Sequence, residues 1–450
     1  MTSPLPIKNG LNPTRVQVPM SEGAPIKAID FVSRLVFTQR HRHPEDNEDA
    51  VRQRFSDGLV RFDDGQEVAP DDLVRPGISI NFYRRPAPER EVPGALELIY
   101  EDNDLLVINK PSFLATLPRG QHITQTALTK ARVQFGISEL SPCHRLDRLT
   151  RGVLMFTKRP EIRGAYQTMF DRREPQKIYE AITDLPVDPP PWLRKLMLNT
   201  ESGGLSQHLC GREVGEVNRG GSGTEAKSFD EGGDPVVSGA TNENKAITAR
   251  ATTWQSEYAS QHNVRSDKTS LRGETAAGTT GRVDTGLALP TLDEVVIDTP
   301  WRERSQPTTE SPWVLGHHMV KIRGRLNTYL DLDATADNAV TAITGVRIVT
   351  DTVSTSAPTT RLVWRLEPHS GRTHQLRVVM RSLGLPIVND ALYGFICTDA
   401  LLGRATDLPS PPFAEDEDFN RPMGLTAAQL TFTDPLSGEL RTFRVPDKQG

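Results

Sequence analysis

Cysteine is nearly absent from this chain of 450 residues: Cys143, Cys210 and Cys397 are the three present. They stand far apart, with no CxxC and no Cys/His spacing, which excludes a disulfide framework and a zinc site built on them. Long apolar runs are missing too. No stretch approaches the roughly 18 residues that a membrane helix requires, and the opening MTSPLPIKNGLNPTRV lacks the apolar core of a secretory signal. The expected compartment is therefore the cytoplasm, with no membrane partner. Apolar residues make up 36% of the chain and aromatics 6%, enough to core two modest domains but not the whole length.

Excess positive charge is also lacking overall, since the formal net charge is −5. The mean conceals a division. Residues 110–184 carry 13 Lys and Arg against 7 Asp and Glu, whereas residues 199–312 carry 11 against 17. The acidity sits in one segment, and a basic field remains available for a phosphate-bearing ligand.

Patterning divides the chain into six stretches. Residues 1–25 are polar and Pro-rich and are expected to be flexible. Within 26–85, DFVSRLVF and DAVRQRF read as helices. Val60, Phe62, Val68, Ile78, Ile80 and Phe82 alternate as strand residues do, with Asp64-Gly65 as a hairpin turn. Residues 86–95 form a Pro-rich linker. In 96–197, LELIYEDNDLLVINKP reads as a hairpin, TALTKARVQF and PEIRGAYQTMF as helices, and GVLMFTK and KIYEAIT as strands. Residues 198–311 lose periodicity among Gly, Ser and Thr and are expected to be a low-complexity disordered insertion. In 312–446 strand patterns resume, followed by a helix in HQLRVVMRSLG with Leu376, Val379, Met380 and Leu383 on one face and Gly384 as its stop. The order is that of an α+β fold and not the regular alternation of a doubly wound sheet.

One acid stands out. HRLDRLTRG, residues 144–152, places Asp147 among three arginines directly before an apolar strand. Taken alone, it reads as a surface ion pair worth under about 1 kcal/mol. Its position at a loop-to-strand junction, where rigid scaffolds present functional groups, argues for more. SGRTHQLR, residues 370–377, forms a second basic cluster leading into a helix. His144 and His374 read as hydrogen-bonded structural histidines, while His317-His318 and the HRH at 41–43 have no acid or Cys partners at ligand spacing, so no metal is expected. RGGSGTEAKS lacks the phosphate-loop spacing.

These motifs together resemble the RluA family of RNA pseudouridine synthases. HRLDRLTRG is similar to its HRLD motif and VINKPSFLATLPRG to its N/D-K-P motif. KIYEA is similar to its K-x-Y-x-A strand, and SGRTHQLRVVMRSLGLPIVNDALYG to its G-R-T-H-Q-I-R segment with the following G-x-P-I-x-x-D-x-x-Y-G. All occur in the family's order, over about residues 95–184 and 313–445. The N-terminal module resembles, less specifically, an S4-type RNA-binding domain. The resemblance implies a pseudouridine synthase catalytic domain built on a largely antiparallel mixed sheet, acting on ribosomal or transfer RNA as a monomer with no cofactor.

It also implies roles. Asp147 is the nucleophile or proton acceptor at the sugar–base junction. Arg377 is the cation that partners it, and Tyr179 lies against the uracil. Arg145 occupies the gap left by the flipped base, which cannot be reached while stacked. Arg148, Lys110 and Arg372 complete the base-flipping and RNA-binding set, with Lys110-Pro111 and residues 372–375 as supports. Some positions depart from the family pattern. Arg151 stands where a small residue is usual and Asn389 where Gly is usual, VVMRS replaces an apolar-His helix, and the insertion is far longer than the domain needs. Two rivals follow: an RNA-binding protein of this fold without turnover, and an N-glycosidic hydrolase, which lacks a second carboxylate at a telling position.

Overall fold

The structure, a computed structural model, describes residues 3–186, 188–201, 301–321, 327–331, 334–351, 359–393 and 417–446. The N-terminal module contains strand β1 (Thr14–Gln17), β2 (Ile26–Lys27), helix α1 (Ala28–Phe37), α2 (Glu48–Ser56), β3 (Val60–Phe62), β4 (Leu73–Val74) and β5 (Ser79–Phe82). Phe31, Val32 and Val36 recur at helical spacing in α1 and pack with Val51, Phe55, Ile80 and Phe82 in one apolar cluster. Asn47 caps α2 by accepting from the Ala50 N–H at 3.0 Å, and Arg54 pairs with the buried Asp46 at 2.8 Å.

The N-terminal stretch, expected to be flexible, is instead part of this module from residue 3 onward. Strand β1 pairs with β5 in the order β1-β5-β3, and Leu5 and Val18 are buried. Arg132 donates to the Gly10 carbonyl at 3.0 Å and to Asn12 Oδ1 at 3.1 Å, tying residues 10–12 to the larger unit. The prolines misled because they flank β1 and do not lie within it. A strand interior needs its own N–H groups, and residues 14–17 keep all of theirs.

The larger unit is a mixed sheet of β6 (Glu97–Glu101), β7 (Leu105–Lys110), β8 (Ser141–Pro142), β9 (Arg151–Thr157), β10 (Gln176–Asp184), β11 (Trp313–His317), β14 (Ala339–Asp351), β15 (Thr359–Pro368), β16 (Leu425–Thr433) and β17 (Leu440–Arg444). Strands β12 (Met319–Lys321) and β13 (Thr328–Leu330) form a separate pair. The main path runs β11-β14-β15-β10-β16-β9-β7-β6, with β17 on β16 and β8 on β9. Within this sheet the strands pair antiparallel except β16 with β9, which is parallel at Thr426–Arg151 and Ala427–Gly152. The α+β class and the largely antiparallel sheet thus agree with the reading of the sequence.

Helices α3 (Ala127–Phe135), α4 (Arg163–Asp171), α5 (Pro191–Glu201) and α6 (Gln375–Ser382) lie on this sheet. Thr126 caps α3 through the Thr129 N–H, and Gly136 ends it in the left-handed region. The apolar face expected for α6 is buried: Leu376, Val379, Met380 and Leu383 all enter the core. The 198–311 interval needs a correction at its described ends. Helix α5 runs to Glu201, and Trp301 is buried against Trp192, Trp313 and Trp364. A lone tryptophan among Pro, Thr and charged residues carries no periodic signal, yet burying its large ring is strongly favourable. Residues 202–300 lie outside the described residues. Among the described residues no helix is long and apolar enough to cross a membrane.

Candidate active site

The parallel junction of β9 and β16 fixes the loop that carries Asp147. Gly152 has φ +120, and a Cβ there would stand 2.2 Å from the Ala427 carbonyl oxygen, so only glycine permits this approach. Just upstream, the Thr150 N–H donates to the Asp147 carbonyl at 3.1 Å and closes a turn. On the other side of the acid, Leu146 is buried and its backbone exchanges hydrogen bonds with the Thr116 hydroxyl at 2.8 and 3.1 Å.

Lys110 supplies the remaining clamp. Its buried ammonium donates to the carbonyls of Leu114 at 2.8 Å, Pro111 at 2.9 Å and Arg148 at 3.2 Å. Burial pushes its pKa down to about 7, with Asp147 opposing that shift. Three carbonyls for three protons is the arrangement a charged ammonium needs. The expectation that Lys110 contacts RNA is therefore corrected: its side chain is fully buried and serves the loop.

Asp147 opens into a cavity of about 290 Å³ lined by Arg145, Thr150, Lys177, Tyr179, Arg372 and His374 among others. Its carboxylate is 34% exposed, so it is not dry in this state. Tyr179 comes from β10, where the register with β16 shifts between Ile178 and Tyr179. Burial first, and the Asp147 charge second, raise the Tyr179 pKa, so the phenol keeps its proton at neutral pH.

Arg377 approaches from α6. It is nearly buried, and its Nη1 stands 3.8 Å from Asp147 Oδ2. Its tighter partner is Asp390: Nε and Nη2 donate to the two carboxylate oxygens at 2.7 and 2.6 Å. Asp390 is held in turn by the N–H groups of Leu392 at 2.9 Å and Tyr393 at 3.0 Å. The arginine expected to partner Asp147 is thus shared with Asp390. Its bidentate pair with Asp390 sets the guanidinium plane and leaves Nη1 directed at Asp147.

His374 adds a polar group beside the acid. It takes a left-handed φ of 57 before α6, and its Nε2 lies 3.9 Å from Asp147 Oδ2. Its Nδ1 is 3.0 Å from the Tyr393 hydroxyl. Burial, followed by the Arg377 charge and opposed by Asp147, lowers its pKa to about 4, so the ring is neutral at pH 7. His144 is structural: Nε2 accepts from the Met155 N–H at 3.2 Å and the ring stacks on Phe170.

Of the basic residues expected at RNA, Arg145 and Arg372 are exposed on the cavity rim. Arg148 is instead half-buried in a bidentate pair with Glu417, one arm at 2.7 Å. Arg151 does not crowd the Asp147 cavity. It donates to Thr426 Oγ1 at 2.7 Å and lines a separate cleft with Glu97, Asn109 and Phe419.

With this geometry established, comparison with known proteins gives one dominant result. Residues 104–225 match the family of RNA pseudouridylate synthases. The matched span contains Lys110, Arg145, Asp147 and Tyr179. An uncharacterised RNA pseudouridine synthase of Synechocystis sp. is 32% identical over 153 residues, which is 33% of this chain and 52% of that protein. The dual-specificity RNA pseudouridine synthase RluA of Haemophilus influenzae is 39% identical over 88 residues, 19% of this chain and 39% of that protein. The chain thus spans about half the length of the first of these curated relatives and less of the second. Human RNA pseudouridylate synthase domain containing 1 aligns over 79% of this chain and 86% of its own, at 16% identity and a TM-score of 0.37. The RNA pseudouridylate synthase match ends inside the 198–311 interval, so Arg377 and Asp390 stand beyond it.

Proposed function

We propose that the chain is an RNA pseudouridine synthase of the RluA type, isomerising uridine to pseudouridine with Asp147 at the sugar–base junction. The observation that carries this reading is convergence: Asp147 from a loop and Tyr179 from a strand line one cavity, and the buried Arg377 from a distant helix comes within 3.8 Å of the Asp147 carboxylate. In the reaction the N1–C1′ bond breaks, the base turns and a C5–C1′ bond forms. A proton leaves C5 and one is taken up at N1. Atoms balance with no redox change, so a carboxylate acting as nucleophile or proton acceptor suffices.

Each neighbour has a part in this chemistry. Arg377 offsets charge at Asp147 through Nη1, while Asp390 holds its orientation. Tyr179, a neutral phenol, offers a ring face to the uracil and is a poor base at rest. Arg145 enters the gap left by the flipped nucleotide, and Arg372 meets phosphate. The N-terminal module, taken from residue 3 to 85, acts as an S4-like RNA-holding unit, followed by the 86–95 linker and a catalytic domain in two parts, 96–197 and 312–446. The substrate is ribosomal or transfer RNA, acted on by a cytoplasmic monomer. The position of Arg151 outside the cavity supports turnover over RNA binding alone.

Tritium release from RNA labelled at uridine C5, prepared from cells lacking this gene, tests the reading. Release by the purified chain is expected. Binding without release identifies the inactive relative instead, and free uracil in the supernatant identifies a hydrolase.

A further inference from the structure

Lys177 stands two residues before Tyr179 on β10 and lines the Asp147 cavity beside it. It also lines an adjoining cavity of about 290 Å³ whose walls include Phe170, Arg173, Glu367 and Thr431. Pro368, Ser370 and Gly371 border both spaces, so the two cavities form one groove with Lys177 at the junction.

The ammonium is oddly placed for a structural group. It is half-buried, and among the described residues it makes no hydrogen bond and no ion pair. Its contact is the face of the Phe170 ring, with Nζ 5.0 Å from the centroid, and that ring is itself stacked on His144. Among the acids that line the groove, Glu367 accepts from Thr344 Oγ1 at 3.0 Å and Gln176 Nε2 at 3.2 Å, and Glu174 pairs with Arg172 at 3.8 Å. Burial lowers the Lys177 pKa. Withdrawing an ammonium from water without an acceptor is costly, so such a cation at a groove junction is completed by an anionic ligand. A phosphodiester offers the charge and the acceptor oxygens together.

Its place along the groove says which one. If the Asp147 cavity takes the reacting nucleoside, the chain to the next nucleotide passes Lys177 to reach the adjoining space. We propose that Lys177 binds the phosphodiester joining the reacting uridine to its neighbour, and that the adjoining cavity receives the neighbouring nucleotide. This rests on the reading of Asp147 as the uridine-facing acid. Phe170 holds the lysine stem in place, and Lys177 takes no part in bond making.

The test uses full-length wild type, Lys177→Gln and Lys177→Arg, each titrated with uridine and with uridine 3′,5′-bisphosphate, which carries a phosphate on either side. Lys177→Gln is expected to weaken the bisphosphate about tenfold, as loss of one charge-assisted contact does, and to leave uridine within twofold. Lys177→Arg is expected to stay within threefold of wild type for both. Unchanged bisphosphate affinity in Lys177→Gln, equal weakening of both ligands, or no binding of either by wild type overturns the proposal. Tritium release by wild type is scored separately. Phosphate-dependent binding through Lys177 without any release sinks the isomerase reading and leaves the phosphate site standing.

Discussion

Replacing Lys110 by Met separates two accounts of this residue. The side chains are similar in length, so the change removes the ammonium and little volume. Three carbonyls, of Pro111, Leu114 and Arg148, then lose the donor they share. Bonds from a charged donor are worth roughly 1.5–3 kcal/mol each, and removing the buried charge returns part of that sum as relieved desolvation. The expected net loss is about 2–4 kcal/mol. Urea unfolding followed by tryptophan fluorescence reads this directly, because Trp192, Trp301, Trp313 and Trp364 all cluster on the large sheet. Since Lys110 holds the Arg148 carbonyl next to Asp147, the turnover rate is expected to fall at least tenfold while RNA affinity and its salt dependence stay near wild type. A stability change below about 1 kcal/mol, together with weaker RNA binding and a shallower salt slope, would refute the clamp and restore Lys110 as an RNA contact.

Three further outcomes follow from the site. Gly152→Ala is expected to cost at least about 2 kcal/mol, from the positive φ and the collision with Ala427, and to abolish turnover; a variant of wild-type stability would contradict the close β9–β16 approach. Arg151→Ser is expected to leave tritium release within twofold, because Arg151 lines another cleft, and a tenfold change in either direction would contradict that placement. The pKa of His374 is lowered from 6.5 to about 4, so the unfolded chain binds the extra proton in that interval. Its stabilising contribution is complete above pH 6.5 and is lost as pH falls toward 4. Stability of His374→Gln is therefore expected to fall less steeply than wild type over pH 6.5 to 4, and identical slopes would sink the assignment.

Local features were legible in the sequence where a short period or a turn carried them. The EDND break predicted the β6–β7 hairpin, and the spacing of Leu376, Val379, Met380 and Leu383 predicted the buried face of α6. Strand β1 escaped because its partner, β5, lies more than sixty residues on, and four residues show no period of their own. Lys110 reads in the sequence both as an RNA contact and as a support, because lysine is rarely buried; only the three-dimensional count of carbonyl acceptors favours the support role. The pairing of Arg148 with Glu417 spans 269 residues and has no local signal at all. Asp390 lies inside the GLPIVNDALYG motif, yet its hold on Arg377 needs the chain after α6 to turn back onto that helix. That Asp147 and Tyr179 share a cavity with Arg377 close to the acid was legible only through the order of the motifs, since no local pattern brings three distant elements together.

The central claim is that the Asp147 carboxylate performs the isomerisation. Tritium release and RNA binding measured side by side for wild type and Asp147→Asn test it most directly. The account predicts that the variant binds RNA within a few fold of wild type and releases no tritium. Release by Asp147→Asn at a rate near wild type would contradict it.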